Sequence, residues 1–448
     1  MPRPPARPSV PSTLRLSILW ALALTLLPPS IAFAQEARHR WERLCQIRRE
    51  KFDLVLPEAM RSSHIDMWIV AQKENQDDPL YDILGRGYTG SVGYYIFTDR
   101  GGDRVERVAL GIEGGMLEGC DAYDRVGDTA ELKSFLAERN PRRIGINVSE
   151  QIGMADGLTW SLRRQLETAI GEPWTARMVP AESLVSNFLS RHTAGEIAAF
   201  AEAGELARQL AERALSNEVI TPGRTTLADV AWWMSDQLLE RGLLSSFDMP
   251  SVYVTGPDGI EATSSDRIIQ RGDILVIDWG VGYLNQFTDM KRIAYVLKEG
   301  EREVPAGFRH AFDQAVKVRD VLKRTIRPGP TAAQMLETLT AEIERAGFSY
   351  MQAFNRPGGG PTTDVIIGCH SVGDRGHGSG PSIAFFNPTQ LTFPIVATNF
   401  LSIELFAYTP VPEWGGRKLR VPLEDDAIVT ARGVEWAYPA NPGIRVIK

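Results

Sequence analysis

The chain has 448 residues, with 56 acidic against 49 basic side chains and a formal net charge of −7. An acidic chain without a Lys/Arg cluster is a poor partner for nucleic acid or an anionic membrane surface. Three cysteines, Cys45, Cys120 and Cys369, are too few for a disulfide scaffold or a thiolate zinc site, and the length exceeds one ordinary core, which predicts two domains.

Arg3, Arg7 and Arg15 stand around the start of an apolar run, Leu16 to Leu27, and Ala32-Phe33-Ala34 reads as a small-x-small cleavage site before Gln35. The run is short for a bilayer span and Pro28-Pro29 breaks it, so residues 1–34 read as a secretory signal peptide rather than an anchor. Removing three arginines takes the charge from −7 to −10 and leaves a chain expected to be exported and soluble, with no later stretch apolar enough for a membrane. Cys45 and Cys120 could pair in an oxidising compartment, which sequence leaves open. Cys369 reads as a small buried residue.

From Trp41 to about Arg191 strands and helices alternate, as in an α/β domain. Arg48 to Ser62 reads as an amphipathic helix, His64 to Ala71, Gly93 to Thr98 and Arg143 to Val148 as strands, and Ser161 to Ile170 as a helix. No cluster of His, Cys or acids with catalytic spacing appears in this half. Residues 35–191 are therefore assigned to a first domain that packs, shapes a cleft or makes subunit contacts, and residues 192–448 to a second.

The second domain opens with a long helix, Thr193 to Asn217, capped by Thr193 with Glu196 three residues on. An internal repeat follows: Ile220-Thr-Pro222-Gly223-Arg-Thr225 and a helix to Gly242, against Ile326-Arg-Pro328-Gly329-Pro-Thr331 and a helix to Gly347. Two copies are too few for a solenoid and suit one domain built from two related halves.

After the first copy comes Ile274-Leu-Val-Ile-Asp278, a short Gly-Tyr-Leu-Asn turn, and a strand carrying Asp289. If the turn is centred on Tyr283 and Leu284, Asp278 and Asp289 face each other with Cβ atoms roughly 4.5–5.5 Å apart. Like charges so placed destabilise a sheet, so a half-buried strand keeps them only with something cationic between them. The alternative is a solvated hairpin, against which stands the apolar run before Asp278, reading as a strand buried on both faces.

After the second copy, a Gly/Pro-rich stretch between Asn355 and Pro381 holds His370 and Gly376-His377-Gly378-Ser379-Gly380. Then come Asn399 to Tyr408, a buried strand with Glu404 at its centre, and Val421 to Thr430, with Glu424 roughly opposite Glu404. Four carboxylates and one imidazole from Asp278, Asp289, His377, Glu404 and Glu424 balance two divalent cations, which at about 3.5–4 Å apart can share carboxylates and a bridging hydroxide. Oxygen-rich ligation with one nitrogen favours Mn²⁺, with Zn²⁺, Co²⁺ or Fe²⁺ as alternatives.

This order, Asp, Asp eleven residues on, His in a Gly-His-x-x-Gly setting, Glu and Glu, resembles the pita-bread metallopeptidases that include aminopeptidase P, methionine aminopeptidase and creatinase. Arg143 to Thr159 and Pro180-Ala-Glu182-Ser-Leu184 are similar to the creatinase-type first domain of the same proteins. The resemblance implies an α+β chain, with a creatinase-type α/β domain followed by a pita-bread domain of pseudo-two-fold symmetry, and a homodimer, as is common in the family. It implies that Asp278 chelates one metal, that His377 and Glu404 bind the other, and that Asp289 and Glu424 bridge. Glu404 would take the proton from the attacking water.

Where aminopeptidase P-like enzymes carry two auxiliary histidines and an arginine, this chain has Glu261, Ala384 and Pro422. His370, Arg375 and Arg420 are candidate replacements, and His370 is assigned the auxiliary catalytic role. His39, His64, His192 and His310 read as surface or packing residues. The implied activity is that of a dinuclear metallopeptidase, Xaa-Pro aminopeptidase-like, releasing an N-terminal residue or cutting a short peptide. The alternatives are a hydrolase of small amide C–N bonds on the same fold, and a peptide-binding module that has lost activity.

Overall fold

In the computed structural model, residues 2, 30–354 and 358–448 are described. They fall into two units, Met1–Leu44 and Cys45–Lys448. Apart from residues 2 and 30–34, the expected signal peptide lies outside the described residues. In the first unit helix begins at Ser30, with i,i+4 ion pairs Glu36–Arg40 and Arg38–Glu42 on its surface. Among the described residues no helix is long and apolar enough to cross a membrane.

Pro57 stops the first helix from running through as one piece: helix is seen over Ser30–Leu54 and again over Leu56–Ser62, with the proline in the first turn of the second. The strands that follow build a six-stranded sheet in the order Arg125–Gly127, Glu106–Glu113, Tyr88–Thr98, Met67–Gln72, Ile144–Ile146, Met178–Pro180. One face packs Trp68 and Phe97 against Phe52, Met60 and Phe188, and the other packs Ile69 and Ile144 against Leu136, Leu162 and Leu166. Cys45 and Cys120 form a disulfide across this domain.

The Thr193 capping box forms as the sequence predicts, at the start of helix Ala194–Ala214. Its Glu196 is buried against the Lys51 ammonium at 2.9 Å and lies 3.7 Å from His192 Nδ1. The His192 ring stacks on Phe400 at 3.6 Å between centroids, and Phe400 stacks in turn on Phe200. His192 is thus a packing residue, stacked behind strand Phe400–Ser402.

Both repeat helices appear with capping boxes, Leu227–Arg241 from Thr226 with Asp229, and Ala332–Arg345 from Thr331 with Gln334. The first cap is Thr226, one residue beyond the expected Thr225. The helices of the first half and those of the second pack on opposite sides of a shared strand, Ile274–Trp279. Leu275, Ile277 and Trp279 enter one core, and Ile274 and Val276 enter the other. Each such side chain, fully buried, stabilises by roughly 1.5–3 kcal/mol. The alternation leaves Asp278 on the face that looks toward the second half.

The hairpin differs from its expected register. Its turn residues are Leu284 and Asn285, with φ of 50° and 61°, and Tyr283 pairs with Gln286. A two-residue turn with positive φ at both positions favours Asn, which tolerates the left-handed region, and this moves the centre of the turn by one residue. The ladder consequently shifts by two, and Asp278 pairs with Lys291 rather than Asp289. A two-residue slip keeps the same face. The residue opposite the first aspartate is therefore a cation.

The two long strands expected around the glutamates are each divided. Phe400–Ser402 and Leu405–Pro410 lie on either side of Glu404, and Lys418–Leu423 and Asp426–Thr430 on either side of Glu424. The pairs Ser402↔Asp426 and Leu405↔Leu423 bracket the two glutamates, so these face each other where both chains leave one sheet and enter another.

Candidate metal centre

Four strands deliver the acids. Asp278 comes from Ile274–Trp279, Asp289 from the residue before Met290–Val296, and Glu404 and Glu424 from the two crossing points. Gly368 lets Glu404 come close, since a Cβ there would stand 2.3 Å from its Oε2. Asp289 and Glu404 are nearly buried and Glu424 wholly so, while Asp278 keeps 27% of its side chain exposed and marks the open side.

At the centre stands Lys291, which the sequence reading did not single out. Its ammonium lies 3.1 Å from Asp278 Oδ2, 2.6 Å from Glu404 Oε1 and 2.5 Å from Glu424 Oε2, beneath the ring of Phe406 at 5.6 Å. The second oxygen of Glu424 accepts from Ser402 Oγ at 2.6 Å. Asp289 is outside this grip: its backbone N–H donates to Asp426 Oδ2, and its Oδ1 is buried with no hydrogen-bond partner.

The two histidines stand differently around Asp289. His370, on strand Cys369–Ser371, puts Nε2 3.4 Å from Asp289 Oδ2, and its Nδ1 lies 3.0 Å from the Gly368 carbonyl. The Gly368 carbonyl can only accept, so Nδ1–H donates to it and Nε2 is the nitrogen that faces Asp289, the orientation usual for a metal-binding imidazole. Asp289, His370 and Glu424 each offer a ligand atom within 4.8 Å of the others. His377 is not in that set. It sits in a turn at φ 54°, 3.8 Å from Asp289 Oδ2 and edge-on to Phe247, with both ring nitrogens buried and unpartnered. Both histidines have a glycine three residues on, which is why sequence spacing did not separate them. The strand pairing His370↔Ser402, two residues from Glu404, does.

The protonation equilibria show how short of positive charge the cage is. Burial, reinforced by Asp289, pushes the Glu424 carboxyl up to about 8 despite Lys291. Burial also raises Asp289 and Asp278 above the usual carboxylate range. For His370 burial favours the neutral ring, but Asp289 and the two glutamates outweigh it and raise it to about 10. His377 goes the other way, lowered to about 4 by burial and then by His370. Carboxyls held above their usual range beside an imidazole held cationic mark a cage that takes up protons for want of other positive charge.

Of the remaining candidates, Glu261 is exposed and paired with Arg267, Ala384 is buried, and Arg375 is exposed. Pro422 lies opposite Phe406 in the ladder. Arg420, two residues earlier on the same face, stacks over Phe406 at 4.3 Å and donates to Tyr253 Oη at 3.3 Å, with no carboxylate partner among the described residues. Cys369 is buried with its Sγ 3.4 Å from the Glu404 carbonyl, and burial pushes its thiol far above the ordinary range. It is no nucleophile.

A family profile described as Metallopeptidase family M24 matches residues 198–431, half of the chain. The chain belongs to this family. The chain is 26% identical over 234 residues to an Xaa-Pro dipeptidase of Pyrococcus horikoshii, covering 51% of this chain and 58% of that relative, so the match spans under two thirds of the relative's length. Solved structures extend the likeness beyond the matched segment to most of the chain. An X-Pro aminopeptidase from Thermotoga maritima matches 87% of this chain and 99% of its own, with a TM-score of 0.62 and 18% identity. Dipeptidase PepE from Mycobacterium ulcerans covers 90% and 98%, with a TM-score of 0.59 and 19% identity. The α+β pita-bread fold expected from the resemblance is the fold of this M24 chain.

Proposed function

We propose that the chain is an exported, metal-dependent peptidase that releases an N-terminal residue or cleaves short peptides, with Xaa-Pro substrates the first to try. The observation that carries this reading is the set Asp289, His370 and Glu424, with a buried, unpartnered oxygen on Asp289 and His370 Nε2 3.4 Å from its other oxygen. These residues fit a divalent ion of the Mn²⁺ or Zn²⁺ type by their mixed oxygen and nitrogen chemistry. Such an ion, when bound, polarises a carbonyl and makes water acidic enough to attack near neutral pH.

The protein supplies the rest. Glu404 is the carboxylate placed to take a proton, since one oxygen is held by Lys291 and the other lies 3.9 Å from His370 Nδ1, leaving acceptor capacity toward the cleft. His377, with two free ring nitrogens beside Asp289, is placed to donate to a developing oxyanion. Phe406 and Tyr253 form an apolar floor on which Arg420 offers a guanidinium to a peptide carboxylate. Export is supported by the leader-like residues 1–34 and by the Cys45–Cys120 disulfide, a bond that persists in oxidising compartments.

Metal content and hydrolysis of Xaa-Pro dipeptides and tripeptides, with Asp289→Ala as control, test this. Metal-loaded protein that turns over no peptide in a broad library overturns it. Lys291 favours a second reading, a module that binds peptides without cutting them, because a fixed ammonium in the cage weakens the need for metal. Retained peptide affinity without turnover would establish that reading.

A further inference from the structure

The two-ion arrangement implied by the resemblance needs one ion on Asp278 and a second on the histidine and Glu404, with Asp289 and Glu424 shared. Lys291 is incompatible with it. Its ammonium touches one oxygen each of Asp278, Glu404 and Glu424 at 2.5–3.1 Å, and two of these, Asp278 and Glu424, are carboxylates that a cation bound to Asp278 would use. An ion on Asp278 and Glu424 would lie within a few ångströms of a like charge, in surroundings where such repulsion is little screened.

The lysine cannot easily move away. It sits on Met290–Val296, a strand buried at every position, its Cα paired with Asp278, its backbone N–H bonded to the Glu424 carbonyl and Phe406 over its ammonium. Its side chain is 5% exposed. What Lys291 does not touch is the other part of the cage: Asp289 and His370 are outside its reach, Asp289 Oδ1 has no partner, and Glu424 joins them within 4.8 Å.

We propose that this M24 chain holds a single divalent ion, at Asp289, His370 and Glu424, and that the Lys291 ammonium stands as a built-in monovalent substitute for the second. The inference rests on the metal-dependent reading above but can fail separately from it. One ion and one ammonium leave the four carboxylates a net charge of about −1 when His370 is neutral. Two ions and an ammonium would leave it at about +1, and that cage would no longer be anionic.

The test uses the full chain, stripped of metal and titrated with Mn²⁺, with bound ion counted by elemental analysis and calorimetry. Wild-type protein is expected to bind one Mn²⁺ per chain and to show the spectrum of an isolated Mn²⁺ ion by electron paramagnetic resonance. Lys291→Thr, which removes the charge, is expected to bind two and to show an exchange-coupled pair. Two ions in the wild type, or a coupled spectrum, overturn the inference while leaving the peptidase reading intact. No ion in the wild type overturns both. Because the spectrum is read on unaltered protein, the question is decided even if Lys291→Thr does not fold.

Discussion

Replacing Lys291 by Met tests the electrostatics of the cage without any appeal to activity. The substitution keeps the length of the side chain and deletes the charge, leaving Asp278, Glu404 and Glu424 each without the partner now at 2.5–3.1 Å. Removing one member of a buried ionic network costs about 3–5 kcal/mol. Treated as one unfolding unit, the compact stretch of about 400 residues, Cys45–Lys448, has an unfolding entropy near 0.85 kcal/mol/K, so the melting temperature of chelator-treated protein should fall by roughly 3.5–6 °C. Differential scanning calorimetry with EDTA at neutral pH reads this directly. Saturating Mn²⁺ should then recover more for the variant than for the wild type, since ligand at 1,000 times its dissociation constant contributes about 4 kcal/mol per site. A Lys291→Met protein that melts at or above the wild-type temperature without metal would refute the claim that the ammonium holds the cage together.

His370→Ala should weaken Mn²⁺ affinity by more than about 100-fold, whereas His377→Ala should leave affinity unchanged and lower kcat by ~10²–10³-fold, as calorimetry and peptide hydrolysis can show. Arg420→Ala should raise KM for a free dipeptide by about 10–100-fold and barely alter KM for the same dipeptide amidated at its C-terminus; equal effects on both would remove Arg420 from substrate recognition. The His192 ring is lowered to about 4 by burial and by Lys51, against 6.5 when unfolded. Below pH 6.5 the unfolded chain therefore takes up a proton that the folded chain refuses, so stability present above 6.5 is lost as pH falls toward 4, by about 3 kcal/mol. Urea denaturation of His192→Gln should show a shallower acid-side decline than the wild type, and identical slopes would count against this assignment.

Much of the fold was legible because the periodicities were unambiguous. The Ile274 to Ile277 run reads as a strand buried on both faces, and it is. Thr193, with Glu196 three residues on, marked one helix start, and the repeated Pro-Gly turn with its threonine marked another at Thr331. What escaped depended on register. Deciding whether Asp278 faces Asp289 or Lys291 requires knowing which two residues enter the left-handed region, and the Asn285 signal was there to be weighed. Acids crowded on one buried face do demand a cation, and the chain itself supplies one in Lys291, opposite Asp278. The different settings of His370 and His377 have a similar origin, because equal glycine spacing does not say which histidine lies on a strand and which in a turn.

The crossing points at Glu404 and Glu424 carry a mechanical consequence. The two strands that bear them belong to one sheet before the glutamates and to another after. Any hinge motion between those sheets must flex at these residues, and Lys291, clamped to both glutamates from a third sheet, acts as a rivet through the joint. The cage is then a fastener as well as a chemical site, and loosening it should show first as faster amide exchange at Ile403 and Asp425, which bracket the seam.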